Sequence, residues 1–285
     1  MKHFETNWQA IDGLQLYAQG WEPEEEPVAV VCLVHGLGEH SGRYAHLAAF
    51  LNRVGYAVMS FDLRGHGKSG GPRGHTPSIE SFMNDIDLLM QTAAGRYAGK
   101  PRFLYGHSLG GILVLNYALR RKPQVAGVIA TGAGLRTALE EQTAKVAFAK
   151  AMGTVLPSLS MPSGLDATMI SRDPEVVRIY QSDPLVHDRA TLGMARNLMQ
   201  AIPWAFEHAC EFDVPLLLMH GTGDQIAFTK GSQEFANLAA YDCTLKLWDG
   251  LYHEIHNEPE KDQVFAFLLE WMEKKRGGWS VKYGG

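Results

Sequence analysis

Continuous runs of apolar residues alternate with helical patterns along most of this chain. Residues 28–34 (Val-Ala-Val-Val-Cys-Leu-Val) are apolar without a break, and residues 125–131 form a second such run. Unbroken apolar strands are buried on both faces, as in parallel sheets that helices cover on both sides. A looser alternation around Asp12-Gly13 predicts an antiparallel hairpin at the N-terminus. The pattern therefore predicts an α/β fold with a mostly parallel sheet that begins antiparallel.

One long stretch interrupts this alternation. Between residues 135 and 201 no buried strand is evident, and helical patterns such as 143–155 mix with turn-rich segments. An insertion of this size within an α/β alternation is typical of a helical cap over one edge of a sheet. We therefore predict a cap at residues 135–201, inserted into a core formed by residues 1–134 and 202–285.

Composition excludes several classes of function. The chain has 285 residues and a formal net charge of −5, so it lacks the basic surface expected of a nucleic-acid-binding protein. We find no apolar signal-peptide core and no segment long enough to span a bilayer. Three widely spaced cysteines, Cys32, Cys210 and Cys243, predict neither a disulfide framework nor a zinc site. We expect a cytoplasmic protein that needs no metal or cofactor.

A candidate nucleophile lies between an apolar run and a helical pattern, in residues 102–115. Ser108 is flanked by Gly106 and Gly110 in a Gly-x-Ser-x-Gly sequence. In a sharp strand-to-helix turn this sequence exposes a strained serine, and the small glycines leave room for the turn. The helix that follows would offer free backbone N–H groups to a developing negative charge.

The same short pattern also occurs at Ser69, within Gly67-Lys68-Ser69-Gly70-Gly71. That segment has no buried strand before it and no helix after it, so we predict a loop. A phosphate-binding loop is excluded too, because such a loop needs a glycine where the chain has Asp62. The strand–turn–helix context selects Ser108 over Ser69.

The remaining parts of a serine hydrolase site follow other predicted strands. Asp224 follows the run 214–220, and His253 follows the run 244–248. The order Ser108, Asp224, His253 is that of the α/β-hydrolase fold, in which histidine is the base and aspartate orients it. We expect the backbone N–H groups of Leu37 and Leu109 to bind the oxyanion.

Two of these assignments have competitors. His256 lies three residues after His253, but His253 comes first after the strand and turn. Asp213 precedes its strand and would therefore lie at the opposite end of the sheet from Asp224. Other polar residues near strand ends are expected to have structural roles: His35, Asp62 and His107.

Five segments distinguish the chain from hydrolases in general: residues 35–44 (HGLGEHSGRY), 64–69 (RGHGKS), 106–111 (GHSLGG), 179–185 (IYQSDPL) and 252–256 (YHEIH). Together they resemble the monoacylglycerol lipases of the α/β-hydrolase superfamily, and the resemblance covers most of the chain. It implies a serine esterase of lipid metabolism that releases fatty acid and glycerol from monoacylglycerols, through an acyl-enzyme on Ser108.

The resemblance also implies a binding site for the glycerol head group. Glu39, Arg43, Tyr180 and His256 match the positions that form it in the family. A second interpretation of Glu39 and Arg43 is an ion pair that only braces the oxyanion loop, residues 35–38, which carries Leu37. The triad is equally compatible with a lysophospholipase or a carboxylesterase of broad specificity, whereas a non-catalytic scaffold does not fit a complete set of catalytic groups.

The apolar pattern at residues 146–156 of the cap has two interpretations. It can pack over a channel for the acyl chain, or it can expose apolar side chains to lipid aggregates, as the family resemblance implies. Few basic residues accompany the pattern, and this favours the first interpretation. Transient contact with a membrane through the cap, and hence a peripheral location, remains the alternative.

Overall fold

A central sheet organises the molecule in the computed structural model, which describes residues 1–137, 152–239 and 241–283. Ten strands occur within these residues. In chain order they are β1 Lys2–Gln9, β2 Gln15–Glu22, β3 Ala29–Val34, β4 Tyr56–Phe61, β5 Arg102–His107, β6 Gly127–Thr131, β7 Ser160–Pro162, β8 Arg189–Thr191, β9 Leu216–Gly221 and β10 Cys243–Trp248.

Eight of these strands form the central sheet in the order β1-β2-β4-β3-β5-β6-β9-β10. Strands β3, β4, β5, β6, β9 and β10 are parallel to their neighbours in this group, whereas β2 is antiparallel to both β1 and β4. The predicted mostly parallel sheet with an antiparallel N-terminal hairpin is therefore confirmed. Because the carboxyl ends of the parallel strands share one edge, residues that follow these strands meet there.

Helices cover both faces of the sheet. Their bounds are α1 Ala45–Arg53, α2 Ile79–Arg96, α3 Leu109–Arg121, α4 Pro174–Ser182, α5 Leu192–Glu207, α6 Thr229–Leu238 and α7 Lys261–Tyr283. Strand β3 is completely buried, and alternate residues face opposite sides: Val30 and Cys32 pack in one core with side chains of α2, α3 and α6, whereas Val31 and Leu33 pack in the other with side chains of α1 and α7. Burial on both faces explains the unbroken apolar sequence of this strand.

The start of α2 agrees with the sequence, whereas the end of α7 does not. Ser78 precedes a helical pattern with Phe82 and Ile86 on one face, so the sequence predicts that it caps a helix. Its side chain accepts a hydrogen bond from the Ser81 N–H at 3.1 Å, so Ser78 does cap α2.

The helical pattern that starts at about Asp262 predicts an end near Lys275, before the glycine-rich tail. This prediction is wrong, because α7 continues to Tyr283. Gly277 and Gly278 weaken a helix by about 1 kcal/mol each relative to alanine, but glycine alone does not terminate one.

The chain between β6 and β9 contributes no strand to the central sheet within the described residues. Strands β7 and β8 pair with each other there, next to α4 and α5. Most of the predicted helix at 143–155 lies outside the described residues, and the predicted cap boundary at residue 201 falls inside α5. None of the helices in the described residues is both long and apolar enough to cross a membrane.

The same part of the chain is hydrogen-bonded to loops at the carboxyl edge of the sheet. The His187 N–H donates to the Gly38 carbonyl at 2.8 Å, and the Glu254 N–H donates to the Ile170 carbonyl at 2.8 Å. Gly38 has φ +76°, and a side chain there would overlap the carbonyl oxygen of His187. The segment thus contacts both the loop after β3 and the loop after β10.

Candidate active site

Ser108 lies in the tight turn between β5 and α3 and has a strained backbone. Its φ and ψ are 54° and −113°, a conformation that non-glycine residues avoid. A Cβ at Gly106 would overlap the carbonyl oxygen of Gly110, and a Cβ at Gly110 would overlap that of Val34. The two glycines are therefore required by close backbone packing. This packing holds the Ser108 side chain out of the turn.

Ser69, the other serine in the same short pattern, lies in a loop and is buried. Its Oγ donates to the Asp62 carbonyl at 2.5 Å and accepts from the Tyr17 N–H at 2.9 Å. Asp62 organises this loop further, since its carboxylate accepts from the backbone N–H groups of Ser41 and Lys68, each at 2.8 Å. The hydroxyl of Ser69 thus serves the local structure and is not presented to a ligand.

The structure brings Ser108, His253 and Asp224 into one hydrogen-bonded chain. The Nε2 atom of His253 lies 2.9 Å from Ser108 Oγ, and its Nδ1 atom lies 2.7 Å from Asp224 Oδ2. Because a carboxylate only accepts, Nδ1 carries the proton and Nε2 is free to take one from the serine. The backbone N–H groups of Ile226 and Ala227 hold the other oxygen of Asp224 at 2.8 and 2.9 Å.

A second histidine, His220, also contacts Asp224 and was missed by the sequence analysis. Its Nε2 atom lies 3.0 Å from Asp224 Oδ2 and 2.8 Å from the Ala227 carbonyl, and its Nδ1 atom lies 2.8 Å from Ser232 Oγ. Nε2–H therefore donates, and Nδ1 accepts from the serine hydroxyl. The available signal was its place near the carboxyl end of β9, four residues before Asp224. His220 helps to fix the carboxylate that orients His253.

Charge and burial separate the histidines of the site. Burial by itself lowers the pKa of His253, but the charge and hydrogen bond of Asp224 outweigh it and raise that pKa above its ordinary value. Burial would raise the pKa of Asp224, yet the nearby charge of His253 holds it well below its ordinary value. Burial and the neighbouring His253 lower the pKa of His107 to about 4. Of these two histidines, His253 is accordingly the better proton acceptor.

Both predicted oxyanion donors lie near Ser108: Leu109 follows it in the sequence, and Leu37 lines the same pocket. Leu109 begins α3, and Leu37 lies in the loop after β3. No hydrogen bond of the described residues uses either backbone N–H, so both can donate to a ligand. His35 shapes this loop: its Nδ1–H donates to the Gly36 carbonyl at 2.8 Å, and its Nε2 accepts from the Leu63 N–H at 2.8 Å.

Glu39 and Arg43 form part of a buried ion network. Glu39 Oε1 accepts from the Gly36 N–H at 2.6 Å and from the Tyr44 hydroxyl at 2.7 Å, and Glu39 Oε2 accepts from Arg43 at 2.7 Å. Burial would raise the pKa of Glu39, but the charge of Arg43 lowers it below its ordinary value. Both oxygens of Glu39 are thus engaged in holding the oxyanion loop, and this geometry favours the bracing interpretation.

A second carboxylate of this network, Glu254, was not assigned a role from sequence. Its two oxygens accept from the two terminal nitrogens of Arg43 at 2.6 and 2.7 Å. The Arg43 guanidinium also lies 4.6 Å from the centre of the Tyr180 ring, a cation–π contact. Only adjacency to His253 could have indicated Glu254, because Arg43 is 211 residues away in sequence.

His256 lies behind the site rather than in it. Its ring stacks on Tyr44 with centroids 4.9 Å apart and meets His107 edge-on at 4.8 Å. Its side-chain nitrogens have no hydrogen-bond partner among the described residues.

Asp213, the competitor of Asp224, precedes β9 and faces Lys122 at 3.9 Å. Neither competitor therefore takes part in the hydrogen bonds that join Ser108, His253 and Asp224.

Comparison with known proteins identifies the family. The family model described as "Serine aminopeptidase, S33" matches residues 25–260. The chain belongs to the serine aminopeptidase S33 family.

Known relatives match nearly the whole chain. An uncharacterized abhydrolase domain-containing protein of Dictyostelium discoideum is 40% identical over 95% of this chain, which spans 29% of that protein's length. The monoacylglycerol lipase of Mycolicibacterium smegmatis is 35% identical over 94% of this chain and 96% of its own length. The crystal structure of Paleococcus ferrophilus monoacylglycerol lipase superposes with a TM-score of 0.82 at 35% identity, covering 96% of this chain and 100% of that chain.

The S33 site opens into two adjoining pockets among the described residues. The first, about 10 Å³ in volume, lies at Ser108 and has room for about one water molecule. The second, about 300 Å³, shares three lining residues with it: Leu37, Leu165 and Tyr180. Glu39 and Glu254 also line the first pocket, whereas Arg43 and His256 do not. Of the four predicted head-group residues, Glu39 and Tyr180 thus reach the space next to the nucleophile.

Proposed function

We propose that the protein is a serine hydrolase that cleaves the ester bond of monoacylglycerols to fatty acid and glycerol. The observation that carries this proposal is the hydrogen-bonded chain from Ser108 Oγ through His253 to Asp224, with the serine at a strained strand-to-helix turn. A serine hydroxyl needs both an exposed position and an adjacent base to become a nucleophile.

The geometry supports acyl transfer in two steps. Ser108 Oγ attacks the ester carbonyl while its proton passes to His253 Nε2, and the backbone N–H groups of Leu37 and Leu109 bind the oxyanion. The His253 imidazolium then protonates the departing glycerol oxygen, which leaves the acyl group on Ser108. Water attacks this ester in the same manner and returns the fatty acid and the free serine.

Two further features support a monoacylglycerol as substrate. The relatives from Mycolicibacterium smegmatis and Paleococcus ferrophilus are both named monoacylglycerol lipases. Beside the nucleophile, the first pocket is lined by the carboxylates of Glu39 and Glu254 and by Tyr180. The Tyr180 hydroxyl can bind a hydroxyl of a neutral polyol, and the negative charge of the two carboxylates disfavours an anionic head group.

A substrate panel tests the proposal. We expect hydrolysis of monoacylglycerols to exceed that of lysophospholipids and of p-nitrophenyl esters with matched acyl chains. Ser108→Ala should abolish both turnover and labelling by a fluorophosphonate probe, whereas Ser69→Ala should keep the labelling, because Ser69 is engaged in its own loop. Persistent labelling of Ser108→Ala would contradict the assignment of Ser108 as the nucleophile. Faster turnover of lysophospholipids than of monoacylglycerols would contradict the proposed substrate class.

We also propose that residues 135–201 act as a cap that contacts lipid aggregates. Exposed apolar side chains cluster at one end of the described part of this segment: Val155, Leu156, Leu159 and Met161. Apolar side chains that insert into the interfacial region favour membrane binding. Co-sedimentation with liposomes should decrease when Val155 and Leu159 are both replaced by serine; equal binding of the variant, or no binding of the wild-type protein, would exclude the contact.

A further inference from the structure

Glu254 directly follows His253 in the sequence, and its carboxylate is buried beside the site. We propose that Glu254 is a positioning residue for acyl transfer, which ties the loop of His253 to the oxyanion loop and stabilises the imidazolium with its charge. The inference rests on the function proposed above, because it assigns a role in the same reaction. It adds a residue that neither the sequence motifs nor the triad geometry requires.

The first half of the connection is the pair formed by Glu254 and Arg43. Oε1 and Oε2 of Glu254 accept from the two terminal nitrogens of Arg43 at 2.6 and 2.7 Å. Such a two-point pair fixes orientation as well as distance. Asn257 Nδ2 also donates to Glu254 Oε2 at 2.7 Å, so the carboxylate is held in one position relative to the loop that carries His253.

The second half runs from Arg43 to the oxyanion loop. The same terminal nitrogen of Arg43 that binds Glu254 Oε1 also donates to Glu39 Oε2 at 2.7 Å. Glu39 Oε1 accepts from the N–H of Gly36, the residue before the proposed oxyanion donor Leu37. A continuous series of hydrogen bonds thus joins the loop of the base to the loop of the donor, and fixes the separation of the two groups that must act on one carbonyl.

The charges of this network do not cancel. Two carboxylates share one guanidinium, so the group of Glu39, Arg43 and Glu254 carries a net charge of −1. All three side chains are at most 9% exposed, and in such surroundings a charge acts strongly on its neighbours. During acyl transfer His253 becomes positively charged, so an uncompensated negative charge nearby favours that state.

Several titratable groups face His253, and their effects have opposite signs. Asp224, Glu254 and Glu39 each raise its pKa, in that order of effect after burial, which lowers it. The rings of His107 and His256 also lie close to the site, and burial keeps both neutral near pH 7. Removal of the Glu254 charge should therefore lower the pH at which His253 becomes the neutral base.

The test compares pH profiles of kcat and KM for a p-nitrophenyl ester. The matched control for Glu254→Gln is Glu258→Gln. Glu258 is a fully buried carboxylate of the same loop that also binds an arginine, accepting from Arg172 Nε at 2.9 Å, and that accepts from the Tyr252 N–H at 2.7 Å.

The acidic limb of the profile is the rise of kcat/KM with pH as His253 loses its proton. For Glu254→Gln we expect the midpoint of this rise to lie about 0.5–1 pH unit lower than in the wild-type enzyme. The plateau kcat should fall roughly tenfold, because a glutamine cannot accept from both nitrogens of Arg43 and the two loops lose their alignment. KM should change little. Glu258→Gln should leave the acidic limb where it is in the wild-type enzyme.

A second variant separates charge from geometry and serves if Glu254→Gln does not fold. Glu254→Asp keeps the charge but is one methylene shorter, so its carboxylate is drawn back from Arg43 and the contacts at 2.6 and 2.7 Å are lost; we expect a lower plateau and an unmoved acidic limb. An unmoved limb in Glu254→Gln, an equal shift in Glu258→Gln, or a wild-type plateau in Glu254→Asp would each overturn the proposal.

Different measurements test the proposed hydrolase function itself. Absence of ester hydrolysis by the wild-type protein, or full activity of Ser108→Ala, would remove the proposed function itself. If the wild-type protein is active and Ser108→Ala is not, the profiles of the Glu254 variants decide the role of Glu254 alone.

Discussion

The backbone of Ser108 links the strain of a single residue to the chemistry of the site. A positive φ costs a non-glycine residue about 1–3 kcal/mol, and here it is maintained by close backbone contacts at Gly106 and Gly110. The same turn lets Ser108 Oγ approach His253, while Leu109 begins α3 with an N–H that no other described residue accepts. One local conformation therefore presents the proposed nucleophile and a proposed oxyanion donor together.

Replacement of Asp224 by asparagine tests how His253 is oriented. The amide nitrogen of an asparagine would donate to His253 Nδ1 and leave the proton on Nε2, where it blocks transfer from Ser108. We expect kcat to fall by about 10⁴-fold with little change in KM, measured with a chromogenic ester at pH 8. Asp213→Asn, at the opposite end of β9, is the control and should retain wild-type kcat; a fall of less than about tenfold for Asp224→Asn would argue against this role.

Sequence identified some residues of the site better than others. Ser108, Asp224 and His253 each follow a strand in a recognisable local pattern, and the structure brings them together. His220 and Glu254 escaped assignment, because what they do depends on partners from other parts of the fold. Their significance lies in tertiary contacts that local patterns do not encode.

Among the elements, the unit β5–turn–α3 tolerates the least change. A Cβ at Gly110 would overlap the carbonyl oxygen of Val34, so Gly110→Ala must displace either α3 or β3. We expect a loss of about 3 kcal/mol in the free energy of unfolding and loss of fluorophosphonate labelling. Urea unfolding and a labelling assay at equal protein concentration would measure the two effects.

A second glycine supplies the control for this prediction. Gly95 lies in α2, is exposed, and has open space where a Cβ would stand. Gly95→Ala should therefore raise the free energy of unfolding by about 0.5–1 kcal/mol, since alanine loses less entropy in a helix. Similar destabilisation by both substitutions would mean that close packing is not what requires Gly110.

Elements with a strong hydrophobic period were predicted nearly to their ends. Strand β3 was placed at 28–34 and observed at Ala29–Val34, and α2 begins directly after its predicted cap, Ser78. The end of α7 was missed because two glycines, at 277 and 278, look like a terminus although the helix passes through them. The hydrophobic periodicity of the sequence predicts which residues are buried, but it predicts a helix end only where a capping residue is present.

At the scale of the whole molecule, buried histidines predict sensitivity to acid. Burial lowers the pKa of His35, His66, His107 and His256, the last of which has neither ring nitrogen hydrogen-bonded within the described residues. In the unfolded chain these groups titrate near pH 6.5. Below that pH the unfolded state binds more protons than the folded state, so stability must fall as the pH decreases. His253, with its raised pKa, has the opposite sign but is a single group.

We therefore expect the melting temperature to decrease steadily between pH 7.5 and pH 5.5, measured by circular dichroism. His256→Phe keeps an aromatic ring against Tyr44 and cannot titrate, so its melting temperature should depend less on pH than that of the wild-type protein. A melting temperature that is flat or rises toward pH 5.5 would show that these histidines do not govern the response.

The contacts of residues 152–201 with the core could be predicted only in outline. The break in the β/α alternation marked an insertion, but where it contacts the core depends on pairings such as His187 with Gly38, which join residues 149 positions apart. No local pattern distinguishes those partners from their neighbours. The hydrophobic periodicity predicted the order of strands and helices, but it did not predict where the inserted segment contacts the core.

The contact of His187 with Gly38 is made by main-chain atoms, an N–H on one side and a carbonyl on the other. Every amino acid except proline carries that N–H. The loop that presents Leu37 is thus held by a feature that does not depend on the identity of residue 187. Directed evolution of the side chains next to this contact can therefore alter which lipids are accepted and leave this main-chain support in place, provided that Glu39 and His35, whose side chains also hold the loop, are kept.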